Sequence, residues 1–219
     1  MHAVLLDFNG TMFFDSSLHL EAWSKIYQEL YPDNADSLDT GLVCGANNAD
    51  VLRNFAPWLT DEERDRYSIR KEELYRQVCK ENPEKVHLVH GTESFLYELQ
   101  RRGIPFALAS ASIMDNIRFY FDTFGLTRWF RMEDVVYDDG SYPNKGAMHM
   151  EAARRMNVAL ENCLLIEDSP HAITLAAQNK TGCIVAIGST AAEADLLELG
   201  AHHYICDFSE FDFAWLDEI

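Results

Sequence analysis

Short apolar runs of strand length recur along this chain and alternate with stretches of helical periodicity, a pattern that admits few folds. The runs are Ala3 to Asp7, Pro105 to Ser110, Cys163 to Glu167, Cys183 to Ile187 and His203 to Cys206, with a further candidate near Asp134 to Tyr137. Several are almost wholly apolar, as strands covered on both faces must be. Helices are expected between them at about 92–102, 114–124, 146–157, 169–180 and 191–199. Repeated βα units of this kind build a parallel sheet with helices on its two faces. The expected class is α/β, with a Rossmann-like doubly wound parallel sheet as its core.

The stretch from about 15 to 87 breaks the alternation. It holds no convincing strand, and Leu18, Ala22, Ile26 and Leu30 share one helical face. From Thr60 to about Lys80 the chain is densely charged and helical, with Thr60 and Glu63 spaced as a capping box. Pro32-Asp33-Asn34 reads as a turn ending the first of these helices, and Pro83 marks the return. A helical domain inserted at 15–87 into a core made of 1–14 and 88–219 is the expected organisation, and 219 residues suffice for both.

Charge narrows the partners. The 36 acidic residues against 18 basic ones leave a net charge of -18. Nucleic acid and anionic membrane surfaces, which attract basic faces, are therefore not expected partners. The apolar runs are too short to span a bilayer. The start Met1-His2-Ala3-Val4 lacks a basic leader segment, so a cytoplasmic protein is expected, as monomer or homodimer. The cysteines at 44, 79, 163, 183 and 206 form no Cys-x-x-Cys pair and read as buried reduced thiols. His87, His90, His149, His171, His202 and His203 show no metal-ligand spacing, and Phe119-Tyr120-Phe121 reads as core packing.

In open parallel sheets, ligand-binding groups gather at the carboxyl ends of the strands. There the chain places Asp7 and Asn9, then Ser110 and Ser112, then Lys145 opening a helix, then Glu167 and Asp168. Each alone has an ordinary role as turn, cap or surface residue. Together they make chemical sense. A carboxylate can attack phosphorus, and hard oxygen ligands suit Mg²⁺. A lysine offsets charge on phosphoryl oxygens, a hydroxyl orients them, and Gly10 permits close backbone approach.

Asp7-x-Asn9-Gly10-Thr11, Leu108-Ala109-Ser110-Ala111-Ser112, Lys145 and Leu165-Ile166-Glu167-Asp168-Ser169 resemble the four ordered motifs of the haloacid dehalogenase superfamily. The helical insert and His19-Leu20-Glu21-Ala22-Trp23 resemble its small-cap branch, which includes β-phosphoglucomutase and many sugar-phosphate phosphatases. The resemblance implies an Asp7 nucleophile, a Mg²⁺ cofactor held by Asp7, the Asn9 carbonyl, Glu167 and Asp168, and a phosphoryl group held by Ser110 and Lys145. It extends phosphate or substrate contact to Gly10, Thr11, Ala111, Ser112, His19 and Lys71, with a cap that opens and closes. The implied activity is hydrolysis of a small phosphorylated metabolite, such as a sugar phosphate, through an aspartyl phosphate.

The chain departs from that pattern at residue 9, where phosphatases and phosphomutases of the family carry aspartate as proton shuttle. Asn9 can offer a carbonyl and a hydrogen bond but cannot shuttle a proton, a loss of roughly 10²–10⁴-fold in rate. A natural slow variant, a substitution introduced to trap an intermediate, compensation by His19, and deamidation at Asn9-Gly10 are the open explanations. Cys44-Gly45-Ala46-Asn47-Asn48 stands where β-phosphoglucomutases carry an arginine, which weighs against a mutase. Gly146-Ala147 replaces the usual proline-containing run after Lys145. Phosphomutase and a weakened phosphometabolite-binding module are the alternatives to phosphatase. His19 could equally pack beside Trp23, and Lys71, within Arg70-Lys71-Glu72-Glu73, reads more readily as a solvated helix charge.

Overall fold

The structure, a computed structural model, describes residues 2–33, 38, 41, 43, 47–188 and 191–219. The chain forms two compact units, one comprising Met1–Phe14 with His87–Ile219 and the other Asp15–Val86. No helix among the described residues is long and apolar enough to cross a membrane.

The described elements, in chain order, are β1 (Ala3–Leu6), α1 (Ser16–Leu30), α2 (Asn48–Phe55), α3 (Asp61–Glu81), α4 (Thr92–Arg102), β2 (Phe106–Ser110), α5 (Met114–Phe124), β3 (Val136–Tyr137), α6 (Lys145–Arg155), β4 (Cys163–Glu167), α7 (Pro170–Gln178), β5 (Cys183–Ile187), α8 (Glu193–Glu198) and β6 (His203–Ile205). All six strands are parallel, in the order β3-β2-β1-β4-β5-β6. Leu5 of β1 pairs with Ala107 on one side and Leu165 on the other, so β1 and β4 flank the point where strand order reverses.

Both faces of the sheet are dry. On one, Ala3, Leu5, Leu165 and Ile184 pack with Met148 and Ala152 of α6, Ile173 and Ala176 of α7, and Leu196 of α8. The alternate residues Val4, Leu6, Leu108, Leu164, Ile166 and Val185 are equally buried. Right-handed crossovers put α4 and α5 over this second face. Each such aliphatic side chain contributes about 1.5–3 kcal/mol by leaving water, which is why uninterrupted apolar runs become central strands.

Strand ends are sharper than the sequence suggests. β1 stops at Leu6, and the chain turns through Gly10 at φ 74°, a left-handed conformation open to glycine. Asn144 caps α6, its side chain accepting from the Ala147 amide at 3.0 Å, and so holds Lys145 in the first turn. Ser169 caps α7 with Pro170 at its first position, so this helix begins one residue later than expected.

In the helical unit, α1 buries Leu18, Ala22, Trp23 and Ile26, and α3 buries Leu74, Tyr75, Val78 and Cys79. The Thr60–Glu63 capping box forms, with Thr60 N donating to Glu63 Oε2 at 2.9 Å and Glu63 N to Thr60 Oγ1 at 3.3 Å. Lys71 corrects an expectation: it is 3% exposed rather than solvated, because it lies against Glu72 and His19. Cys206 is exposed, unlike the buried Cys79, Cys163 and Cys183. Asn34 and Cys44-Gly45-Ala46 fall outside the described residues.

Candidate active site

The tips of β1 and β4 bring together the groups that the sequence spreads over 160 positions. Asp7 follows β1, Glu167 ends β4, and Asp168 follows it; all three are buried. One carboxylate oxygen from each lies within 4.8 Å of the others. Lys145 Nζ donates a short hydrogen bond to Asp7 Oδ1 and stands 3.5 Å from Glu167 Oε2. Three carboxylates thus share one lysine.

That imbalance shows in the proton affinities. Burial first, then the Glu167 charge, raises Asp7 well above the ordinary carboxylate range, although Lys145 opposes both. Burial also works against the Lys145 ammonium, but Asp7 and Glu167 outweigh it and hold Lys145 above its usual range. For Glu167, burial is overcome by Lys145 and then His149, and its carboxyl stays below the ordinary value. Buried charge without full compensation is costly, and a hard cation among these oxygens would supply the compensation. Among the described residues, Glu167 Oε2 makes no hydrogen bond despite full burial. A Cβ at residue 10 would lie 2.2 Å from Asp168 Oδ2, so only glycine leaves this carboxylate its place. Donor set, orphaned oxygen and close cradle all fit a divalent ion that prefers oxygen ligands.

The remaining motif residues take definite positions. Thr11 Oγ1 donates to Asp168 Oδ1 at 3.4 Å and so orients a carboxylate. Asn9 is anchored by its side chain: Nδ2 donates to the Tyr120 hydroxyl at 2.8 Å, and Oδ1 accepts from Ser112 Oγ at 2.7 Å and Ser110 Oγ at 3.4 Å. The Ser112 amide donates to Ser110 Oγ at 3.3 Å, closing the turn after β2, and Ala111 is exposed at its tip.

Two neighbours were not singled out by sequence reasoning. Tyr120 stacks on Phe8 at 4.4 Å between centroids and aims its hydroxyl at Asn9, so it is more than core packing. His149 is fully buried with Nε2 3.6 Å from Glu167 Oε2, and neither ring nitrogen makes a hydrogen bond among the described residues. Burial lowers its proton affinity. Helical spacing was the available signal for His149, since it follows Lys145 by one turn on the same face.

His19 and Lys71 meet each other in the helical unit. Lys71 Nζ lies 2.7 Å from His19 Nδ1 and 2.9 Å from Glu72 Oε1. An ammonium can only donate, so Nδ1 accepts and the ring proton sits on Nε2, 3.1 Å from Asp15 Oδ2. Tyr75 stacks on His19 at 3.9 Å and donates to Asp15 at 2.5 Å, while Asn48 Nδ2 donates to Glu72 at 2.7 Å. Burial would raise Glu72, but the Lys71 ammonium beside it brings it down to about 2.

Residues 1–180 match the family profile of haloacid dehalogenase-like hydrolases. A haloacid dehalogenase hydrolase of family IA, variant 3, from Entamoeba histolytica has a similar structure, with TM-score 0.90 and 25% identity over 100% of this chain and 99% of that one. A β-phosphoglucomutase from Clostridium difficile superposes with TM-score 0.77 at 19% identity, covering 100% and 96%. CbbY from Rhodobacter sphaeroides, solved in complex with phosphate, does so with TM-score 0.77 at 21% identity, covering 99% of each chain. The chain belongs to the haloacid dehalogenase-like hydrolase family.

Proposed function

We propose that the protein is a Mg²⁺-dependent phosphatase for a small phosphorylated metabolite, with Asp7 as its nucleophile. The carrying observation is the contact of Lys145 with Asp7 beside the buried carboxylates of Glu167 and Asp168. Asp7, Glu167, Asp168 and the Asn9 carbonyl would hold Mg²⁺, which when bound offsets negative charge on the phosphoryl oxygens. Lys145 favours the ionised form of Asp7 that attack needs, against burial and the Glu167 charge, and then faces the transferred group.

In the first half-reaction an Asp7 oxygen bonds to phosphorus as the ester P–O bond breaks, giving an aspartyl phosphate and an alkoxide that takes a proton from solvent. In the second, water attacks the same phosphorus, inorganic phosphate leaves and the Asp7 carboxylate is restored. The Asn9 side chain provides no proton in either half, and its amide is already committed to Tyr120 and Ser112. Turnover is accordingly slow.

The same anchored Asn9 supports a second reading, a phosphometabolite-binding module that has lost most turnover. Assaying a panel of phosphate esters with Mg²⁺, for this protein and for Asn9→Asp, separates the two. The phosphatase reading expects slow hydrolysis that Asn9→Asp accelerates. Binding of phosphometabolites without turnover in either form favours the module, and activity undiminished in Asp7→Asn overturns the nucleophile assignment.

A further inference from the structure

We propose that Cys183, His203 and Glu218 form a second metal site, for a borderline-soft divalent cation of the Zn²⁺ class. Cys183 is the first residue of β5, His203 the first of β6, and Glu218 ends the 3-10 turn Phe213–Glu218. In a parallel sheet the first residues of strands lie at the end opposite Asp7, which follows the last residue of β1. The cluster is therefore separate from the carboxylate site and independent of the phosphatase reading.

One donor atom from each residue lies within 4.8 Å of the other two. His203 Nε2 is 2.8 Å from Glu218 Oε2, and the Trp215 ring stacks on the imidazole at 4.3 Å and 8°, fixing its plane. The Cys183 thiol is buried at the base. Tetrahedral Zn²⁺ takes sulfur at about 2.3 Å and nitrogen or oxygen at about 2.0–2.2 Å, so the thiol would draw in and the imidazole and carboxylate would part a little to make room for the ion. A sulfur, nitrogen and oxygen set suits Zn²⁺ and excludes Mg²⁺, which prefers oxygen alone.

Burial, and then the Glu218 charge, pushes the Cys183 thiol up to about 12, so the cation-free thiol is protonated. Binding the ion releases that proton to solvent. His203 Nε2 and the Glu218 carboxylate would supply the other two protein ligands, and water the fourth position. Glu218 is half exposed, at 49%, which gives the ion a route in and out. The bond set would tie the C-terminal turn to edge strand β6.

Cobalt reports such a site directly. The full chain, stripped with EDTA and held in excess Mg²⁺ to occupy the oxygen site, is titrated with Co²⁺ alone. We expect a thiolate-to-cobalt charge-transfer band saturating at one equivalent, lost in Cys183→Ser and retained in Cys206→Ser. Glu218→Gln, a change at an exposed position, should weaken binding at least about tenfold. Zn²⁺ at about 100 times its dissociation constant should raise Tm by roughly 5 °C in the unmodified chain and by about half of that or less in Glu218→Gln at the same concentration. Absence of the band, its survival in Cys183→Ser, its loss in Cys206→Ser, or unchanged affinity in Glu218→Gln would each overturn the proposal. Should Cys183→Ser fail to fold, the Glu218→Gln titration decides.

Discussion

Each unit of this protein buries a lysine against carboxylates, and the two solutions differ. In the α/β unit, Lys145 faces Asp7, Glu167 and Asp168, and Glu167 Oε2 has no hydrogen bond among the described residues. In the helical unit, Lys71 is matched on every side: Glu72 and His19 take its protons, Asp15 takes the far nitrogen of His19, and Asn48 and Tyr75 bond the carboxylates. The second cluster is complete as it stands. The first gathers three carboxylates around one lysine, a donor set that a divalent cation would complete.

The contrast can be broken most forcefully at Asp7. Asp7→Asn should reduce phosphate-ester turnover on the order of 10⁴-fold or more, measured as kcat/KM, since a covalent nucleophile acts as a unit with its partners. Asn9→Asp should move the other way, raising kcat roughly 10²–10⁴-fold with little change in KM, because it restores a proton shuttle rather than a binding contact. A steady-state comparison in which KM alone changes would refute that role.

The complete cluster is tested through stability. Glu72 is held at about 2 against an ordinary 4.5, so its contribution is present above pH 4.5 and is lost as the pH falls towards 2. Its size is on the order of 3 kcal/mol. Glu72→Gln should therefore be destabilised by denaturant titration near neutral pH, with the gap from the unmodified chain closing between pH 4.5 and 2. Mg²⁺ at about 100 times its dissociation constant should stabilise the protein by about 2.7 kcal/mol, and Asp168→Asn should lose most of that gain. A melting series in which Asp168→Asn responds fully to Mg²⁺ would move the ion elsewhere. The smallest effect expected is at a helix end: Thr60→Ala removes half of the capping box and should cost about 1 kcal/mol.

Much of the α/β unit was legible in the chain. β4 and β5 have the bounds read from their apolar runs, and α4 and α5 those read from helical periodicity, because burial on both faces leaves an unmistakable local pattern. β3 is only two residues long, too short for periodicity to delimit. α2 was not anticipated; eight residues with mixed polarity carry little signal until a cap such as Asn47 is seen in place. Asp7, Lys145, Glu167 and Asp168 could be named because each closes or opens an element at the sheet's carboxyl end.

Lys71 was misjudged, and the contacts that Tyr120 and His149 make at the site were not foreseen, for one reason. Whether a polar side chain is solvated or buried depends on what the rest of the chain places over it, and spacing along a helix shows only a face. The local order of apolar, helical and punctuating residues was enough to specify a parallel α/β sheet with its chemistry at the strand tips, since those preferences act over a few neighbours. Tertiary packing alone decided that Lys71 is buried in a closed network, that Asn9 is pinned by Tyr120 and Ser112, and that Cys183 meets His203 and Glu218. Those are encounters between residues distant in the chain, and their energies exist only once the fold has brought them together.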